Sequence, residues 1–241
     1  MSLNLEQSEI CNNNTKDIIC NDIYNTFNDF IFSADIKLIG KLLHRFEYFQ
    51  NVKDLPGDIV EIGVFKGSGI ASFSKFVEIY CPNSNKKIIG FDIFDPDNSD
   101  EILIKDGNFD KKKMNSVYDR VNHNELTLEN VSKRLENMNI HKKYILIKGD
   151  VEQTLPKFNI DNPGFRASLI YIDVDLERPT YHSLINLWDR LLPGGIILFD
   201  EYEYHKFSES NGVEKFLKEK NIQYELKSTN WFAPTCYLIK K

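Results

Sequence analysis

The sequence predicts an α/β fold with a doubly wound, mainly parallel sheet of seven strands. Five short apolar segments end in glycine or an acidic residue, with helical stretches between them: DIVEIG (58–63), KIIGFD (87–92), KYILIKGD (143–150), ASLIYIDVD (167–175) and GGIILFDE (194–201). Continuous apolar strands that alternate with helices are typical of a parallel sheet covered on both faces. Only five residues separate the last two apolar segments, 222–228 and 234–241, so we expect them to form an antiparallel hairpin.

Two amphipathic helices are expected before the sheet begins. Apolar residues recur three and four positions apart from Lys16 to Gln50, and this spacing places both helices outside the sheet. The spacing changes at Pro56-Gly57, directly before the first strand. We therefore expect a helical extension over 1–55 and a main domain over 56–241. The apolar faces of the two helices are candidate contacts of a homodimer.

Helices are also expected between the strands, over 67–79, 179–192 and 209–220. The segment 95–143 is less regular, because its first part reads as a polar loop and only 125–138 reads as a helix. Long insertions in compact domains are often functional. A lid over an active site and a solvated surface insertion are both open interpretations of this segment.

The composition is acidic, since 30 Lys and Arg against 36 Asp and Glu give a net charge of −6. This balance disfavours nucleic acid as a partner. No segment approaches the roughly 18 consecutive apolar residues of a membrane helix, and the N-terminus is polar and acidic. We expect a cytoplasmic protein that does not act at a membrane. The cysteines contain no C-x-x-C pair and are expected to be reduced: Cys11, Cys20, Cys81 and Cys236.

Acidic residues close every strand of the predicted parallel sheet. In such sheets, ligands bind outside the carboxyl ends of the strands, so these side chains are expected to meet at one edge. Like charges at one edge repel each other unless a cation or hydrogen-bond donors compensate them. A bound positive partner is therefore expected beside the seven carboxylates: Glu61, Asp92, Asp150, Asp173, Asp175, Asp200 and Glu201.

The first group of carboxylates, Glu61, Asp92 and Asp150, accompanies a glycine-containing loop over 63–69. Gly63 and Gly67 allow the backbone to approach a ligand, and an acidic residue after the second strand suits the hydroxyls of a ribose. The loop reads G-x-x-x-G-x-G, which is neither a dinucleotide fingerprint nor a phosphate-binding loop. An acidic Glu61 would repel phosphate and attract a sulfonium, which indicates S-adenosylmethionine instead of NAD or ATP.

The second group contains Asp173, Asp175, Asp200 and Glu201. Two adjacent strands that end in D-x-D and D-E offer three oxygen ligands to a hard divalent cation such as Mg²⁺. The fourth carboxylate is then free to act as a base. Zinc or iron is a poor expectation, because the group contains neither Cys nor His.

With both groups in place, the chain resembles the macrocin O-methyltransferase family of metal-dependent sugar O-methyltransferases, which use S-adenosylmethionine. The resemblance spans roughly residues 56–220 and is carried by six segments: PGDIVEIGVFKGSG (56–69), GFDIFD (90–95), KGDVEQTLP (148–156), LIYIDVDLERPTYHSL (169–184), LLPGGIILFDEY (191–202) and NGVEKFLKE (211–219). It implies a Rossmann-like methyltransferase that transfers a methyl group to a hydroxyl of a sugar or of a sugar-containing small molecule, with Mg²⁺ assistance.

The resemblance also implies a role for each candidate residue. Asp92 would bind the ribose hydroxyls, and Asp150 with Val151 would bind the adenine. Asp175 would be the general base. The methionyl part of the cofactor would contact Glu61, Gly63 and the loop that follows, with Val64, Phe65, Gly67 and Ser68. Asp173 would also bind the cofactor. The metal ligands would be Asp173, Asp200 and Glu201, where the glutamate replaces the second aspartate of the family's usual Asp-Asp-Tyr.

Two other readings of the sequence stay open. Asp173-Val174-Asp175 also fits a metal-dependent glycosyltransferase, although an acidic loop would repel the diphosphate of its donor. A non-catalytic module that has kept the fold is the other alternative. His205 is a candidate substrate contact on the loop after the fifth strand, and His182 is a weaker candidate on the preceding helix.

Overall fold

The computed structural model describes residues 15–139, 144–222 and 224–241, so the predictions that concern 1–14 and 140–143 lie outside the described residues. The chain divides into two compact units, one that ends at Ile39 and one that runs from Gly40 to Lys241. Helix α1 spans Thr15–Phe32 and helix α2 spans Ile36–Val52. The two predicted N-terminal helices are present, and the predicted boundary at 55/56 stays a prediction.

The larger unit is built on a seven-stranded sheet, as the sequence predicts. Its strands are β1 (Asp58–Ile62), β2 (Ile88–Asp92), β3 (Tyr144–Lys148), β4 (Ala167–Ile172), β5 (Leu191–Phe199), β6 (Lys227–Ser228) and β7 (Cys236–Ile239). The spatial order is β3-β2-β1-β4-β5-β7-β6. The first five strands are parallel, and β7 is antiparallel to both β5 and β6. The predicted α/β class with its closing antiparallel pair is confirmed.

Helices cover both faces of the sheet because the strands are apolar on both sides. The connecting helices are α3 (Ser68–Tyr80), α4 (Asp100–Leu103), α5 (Gly107–Tyr118), α6 (Leu128–Glu136), α7 (Val151–Asp161), α8 (Glu177–Leu187) and α9 (Glu209–Glu219). Successive residues of β1 point to opposite faces, so Val60 packs in the cluster that contains α7, α8 and α9, and Ile59 packs in the other. That second cluster holds Phe49 of α2 and Phe73 of α3.

The last two turns of α2 therefore belong to the core, where they pack on one face of the sheet. Tyr48, Phe49 and Val52 are almost completely buried. Periodicity identifies an apolar face but not the surface on which that face packs. The position of α2 matters for function because the same helix carries two cations, described below.

The insertion between β2 and β3 is mostly helical. The prediction that its first part is a polar loop is wrong. Helices α4 and α5 occupy this region, while the helix predicted over 125–138 corresponds to α6. The apolar side chains of α5 are few, and Asp110 is among its buried residues. A helix that buries so few apolar side chains leaves only a weak pattern in the sequence.

Among the described residues, no helix is long and apolar enough to cross a membrane. Cys81 and Cys236 are free thiols, whereas Cys11 and the side chain of Cys20 lie outside the described part of the structure.

Candidate active site

A cavity of about 330 Å³ lies at the carboxyl ends of the parallel strands. Each of the five strands contributes to its wall, through Gly63, Asp92, Asp150, Asp173 and Asp200. The opposite wall comes from the insertion and includes side chains of α4 and α5. The cavity is therefore enclosed between the strand ends on one side and the insertion on the other, in the size range of small-molecule sites.

Six of the seven carboxylates line this cavity, and Glu61 does not. The candidate cofactor residues divide in the same way. Those on the cavity wall are Gly63, Phe65, Asp92, Asp150, Val151 and Asp173. Four candidates are absent from the cavity wall: Glu61, Val64 and Gly67, which are buried, and Ser68, which is exposed.

Asp92 holds the glycine loop in shape. Its Oδ2 accepts hydrogen bonds from the backbone N–H of Val64 at 2.7 Å and of Phe65 at 2.9 Å, and its Oδ1 accepts one from Phe94 at 3.0 Å. Burial raises the pKa of Asp92 above its ordinary value, although these N–H donors oppose the shift. The carboxylate of Asp92, at the end of β2, thus fixes the loop that follows β1.

Glu61 lies beneath the first turn of α3 and is almost completely buried. Arg45 Nη2 lies 3.5 Å from its Oε1. A Cβ on Gly69 would overlap this carboxylate, so only glycine allows α3 to start here. Burial raises the pKa of Glu61 to about 8 against the opposing effect of Arg45. The cation that pairs with Glu61 is therefore a side chain of α2, Arg45.

Asp150 lies in a cluster with Arg178. It caps α7 by accepting the backbone N–H of Glu152 at 3.1 Å, and Arg178 Nη1 donates to its Oδ2 at 3.1 Å. Arg178 also donates through Nε to Asp106 of the insertion at 2.9 Å. Burial raises the pKa of Asp150, but the Glu152 N–H and Arg178 outweigh it and lower this pKa below its ordinary value. Arg178 thereby joins the insertion to the predicted adenine end.

Lys41 lies between two of the three predicted metal ligands. Its Nζ is 2.9 Å from Oδ2 of Asp173 and 2.9 Å from Oδ2 of Asp200. The other oxygen of Asp200 accepts a hydrogen bond from the hydroxyl of buried Tyr171. Burial and Asp173 raise the pKa of Asp200 to about 6, although Lys41 opposes this shift.

The side chains at this position do not fit a Mg²⁺ site. Two of the candidate ligands, Asp173 and Asp200, direct an oxygen at the ammonium of Lys41. Across residues 15–139, 144–222 and 224–241, no group of three His, Cys, Asp or Glu side chains has an arrangement that could hold a metal ion. The predicted positive partner of the acidic edge is present here as a lysine.

Asp175 follows β4 in a left-handed conformation, with φ of 64°. Few non-glycine residues adopt this conformation, and those that do cluster at functional sites. The N–H of Ser208 donates to its carbonyl oxygen at 3.1 Å. Burial and the surrounding carboxylates raise the pKa of Asp175 well above its ordinary value, and burial with Asp200 raises the pKa of Glu201 to about 7. Both side chains line the cavity.

The sequence interpretation missed the two cations of α2, Lys41 and Arg45. The two residues are four positions apart and so lie on one face of the helix. This spacing is the sequence signal that could have identified them. The two candidate histidines, His182 and His205, do not line the cavity. His182 lies 3.6 Å from Glu152, and His205 packs against the ring of Tyr204.

The fold is that of the S-adenosylmethionine-binding methyltransferases. The chain resembles NovP, an O-methyltransferase, with 21% identity over 83% of this chain and 79% of that chain and a TM-score of 0.69. It resembles an apo structure of CalS11, a TDP-rhamnose 3'-O-methyltransferase in calicheamicin biosynthesis, with 25% identity over 83% and 79% and a TM-score of 0.60. The O-methyltransferase TomG from Streptomyces achromogenes, in complex with S-adenosylmethionine, is 13% identical over 84% and 80%, with a TM-score of 0.54.

The sequence itself matches the macrocin-O-methyltransferase (TylF) family over residues 41–237. The chain belongs to this family and is an O-methyltransferase. No curated protein sequence matches it significantly. Of the activities that the sequence left open, methyl transfer is therefore the one supported, and the glycosyltransferase alternative is not.

Proposed function

We propose that this chain transfers the methyl group of S-adenosylmethionine to a hydroxyl of a sugar or of a sugar-containing small molecule. The observation that carries the proposal is one continuous cavity with Asp92 and Asp150 at one end and Asp173, Asp175 and Glu201 at the other. A nucleoside end and an acidic end in one cavity suit a cofactor and a hydroxyl acceptor side by side. The sugar is supported by the likeness to CalS11, which acts on TDP-rhamnose.

At the cofactor end, Asp92 accepts the ribose hydroxyls, and Asp150 with Val151 contacts the adenine. Gly63 and Phe65 border the methionyl part, and Asp173 lies beside it across the strand ends. The four candidates that do not line the wall act by shaping the loop: Glu61, Val64, Gly67 and Ser68. Asp92 serves both purposes, because it fixes the N–H groups of Val64 and Phe65 and also lines the cavity.

At the acceptor end, Asp175 is the general base. The hydroxyl oxygen attacks the methyl carbon as the bond between carbon and sulfur breaks, and the sulfonium leaves as a neutral thioether. Asp175 takes the hydroxyl proton during this step, which compensates for the weak acidity of an alcohol. Holding both reactants in line in one cavity provides much of the remaining acceleration.

A bound Mg²⁺ would lower the pKa of the acceptor hydroxyl and orient it. The predicted ligands Asp173, Asp200 and Glu201 do not fit this ion in the structure, because the first two contact Lys41. No step of the proposed mechanism is therefore assigned to Mg²⁺. The homodimer, the cytoplasmic location and the role of the insertion as a lid stay predictions.

Calorimetric titration of the purified protein with S-adenosylmethionine, S-adenosylhomocysteine and NAD tests the cofactor assignment. We expect the first two ligands to bind and NAD not to bind. Asp92→Asn is expected to weaken both, and Asp97→Asn, at an exposed position of the insertion, is the matched control. Methyl transfer is then measured by mass spectrometry with TDP-sugars as acceptors. Failure to bind S-adenosylmethionine would contradict the proposal.

A further inference from the structure

We infer that the ammonium of Lys41 is the resident cation of the acidic edge and that it excludes a divalent metal ion from the position between Asp173 and Asp200. The inference concerns the same site as the proposed methyl transfer. Its tests measure cation binding and not catalysis, so it can fail while the proposed function holds.

The geometry of the contact resembles that of a bound cation. Lys41 Nζ lies at the same distance, 2.9 Å, from one oxygen of each aspartate. Asp200 is 2% exposed, so its charge is removed from water and needs a partner. Both of its oxygens are engaged, Oδ2 with Lys41 and Oδ1 with the Tyr171 hydroxyl. A metal ion bound here would have to displace Lys41 first.

Lys41 is not a mobile surface lysine that meets the aspartates by chance. Its neighbour Gly40 lies directly against the indole of Trp231, where a Cβ would overlap the ring. One turn further along α2, His44 stacks on the same indole with ring centroids 5.6 Å apart. Arg45 pairs with Glu61 and lies 5.2 Å from the centroid of the Tyr171 ring. These contacts hold the helix on both sides of Lys41 and direct its side chain to the aspartates.

Charge repulsion makes the two occupants mutually exclusive. A divalent ion in contact with the same two carboxylate oxygens would lie within a few Å of the ammonium. At so short a distance this repulsion remains strong even with the screening found near a protein surface. The lysine satisfies the two carboxylates without a third ligand, whereas a metal needs further oxygen donors.

Titration with Mn²⁺, followed by electron paramagnetic resonance, tests the exclusion on the full-length, chelator-treated protein. We expect Lys41→Met to bind one Mn²⁺ at least about tenfold more tightly than the wild-type protein does. The charge-conserving Lys41→Arg should bind as weakly as the wild type. The double variant Lys41→Met/Asp200→Asn should lose the gain, and Lys53→Met, which removes a lysine paired with exposed Asp54, should show none. Wild-type protein that binds Mn²⁺ as tightly as Lys41→Met would overturn the inference.

A second measurement follows the wild-type protein and needs one variant only to assign a signal. The Lys41 ammonium is observed by nuclear magnetic resonance and assigned by the loss of its signal in Lys41→Arg. We expect millimolar Mg²⁺ to leave this signal unchanged, because the ion does not displace the lysine. A shift or release of the Lys41 signal on addition of Mg²⁺ would show that the two aspartates prefer the metal and would overturn the inference.

Discussion

Gly63 and Asp173 meet so closely at the ends of β1 and β4 that a Cβ on Gly63 would overlap the carbonyl oxygen of Asp173. The N–H of Asp173 also donates to the carbonyl of Ile62 at 2.8 Å, which continues the pairing of the two strands past their ends. Gly63 has a φ of 90°, a conformation that side chains disfavour. Gly63 therefore connects the loop that follows β1 to the acidic end of the cavity.

Gly63→Ala should destabilise the protein by roughly 2–4 kcal/mol, since it adds backbone strain and a clash with backbone that cannot move freely. Gly164→Ala is the matched control, because a Cβ at Gly164 meets no atom within 4 Å. Its effect should stay within about 0.5 kcal/mol. Urea unfolding measures both variants. Equal stability of the two would show that the strand ends are not tightly joined.

Arg178→Met should loosen the insertion from Asp150, where Lys105 would remain as the other contact. The variant leaves Asp106 and Asp150 without their guanidinium partner, and charged hydrogen bonds of this kind contribute about 1.5–3 kcal/mol each. We expect faster hydrogen exchange over 100–106 and about tenfold weaker binding of S-adenosylmethionine. Arg166→Met, which removes an arginine that donates only to backbone carbonyls, should change neither. Unchanged exchange over 100–106 in Arg178→Met would argue against the connection.

Asp175→Asn should leave the affinity for S-adenosylmethionine within about twofold and lower kcat by roughly 10²–10⁴, the range of general-base contributions. The amide has nearly the same shape but cannot take up the hydroxyl proton. Calorimetry and a methyl-transfer assay separate the two quantities. Asp189→Asn, whose carboxylate lies away from the cavity wall, serves as the control. A fully active Asp175→Asn enzyme would remove this residue as the base.

The stability of the wild-type protein should fall as the pH rises from about 4.5 to about 8. Glu61 has a pKa of about 8 in the folded protein and 4.5 otherwise, so in this window the folded state keeps a proton that the unfolded state has released. For this one group the slope is up to about 1.4 kcal/mol per pH unit. Glu61→Gln carries no titrating proton, and its stability should depend less on pH. Urea unfolding of both proteins at several pH values checks this, and identical slopes would refute it.

The sequence predicts the sheet well because the strand signal is local. Each of the five parallel strands is a short apolar run with a glycine or acid at its end, and the parallel pairing follows from the helices between them. The predicted polar loop between β2 and β3 was wrong because the buried residue of α5 is an acid, Asp110, and not an apolar side chain. The local sequence pattern does not predict such a helix. Its position depends on tertiary contacts: Asp110 accepts a hydrogen bond from Ser208, and other side chains of α5 line the cavity.

The candidate site was predicted in part. The rule that ligands bind at the strand ends found six carboxylates that line the cavity. The need for a positive partner was also recognised from the sequence, yet the partner was assigned as a metal. Lys41 is more than 130 residues from Asp173 in the chain, and only the packing of α2 on the sheet brings the two together. Pairings over such sequence distances require the fold.

The contact between Gly40 and Trp231 has a practical consequence for any shortened form of this protein. Trp231 belongs to the segment between β6 and β7, so the C-terminal hairpin packs against α2, the helix that carries Lys41 and Arg45. A protein that begins at residue 56 would keep every strand of the sheet, but Asp173, Asp200 and Glu61 would lose their cations. The smallest unit that keeps Lys41 and Arg45 beside these carboxylates therefore begins before Gly40 of α2 and extends through the final hairpin.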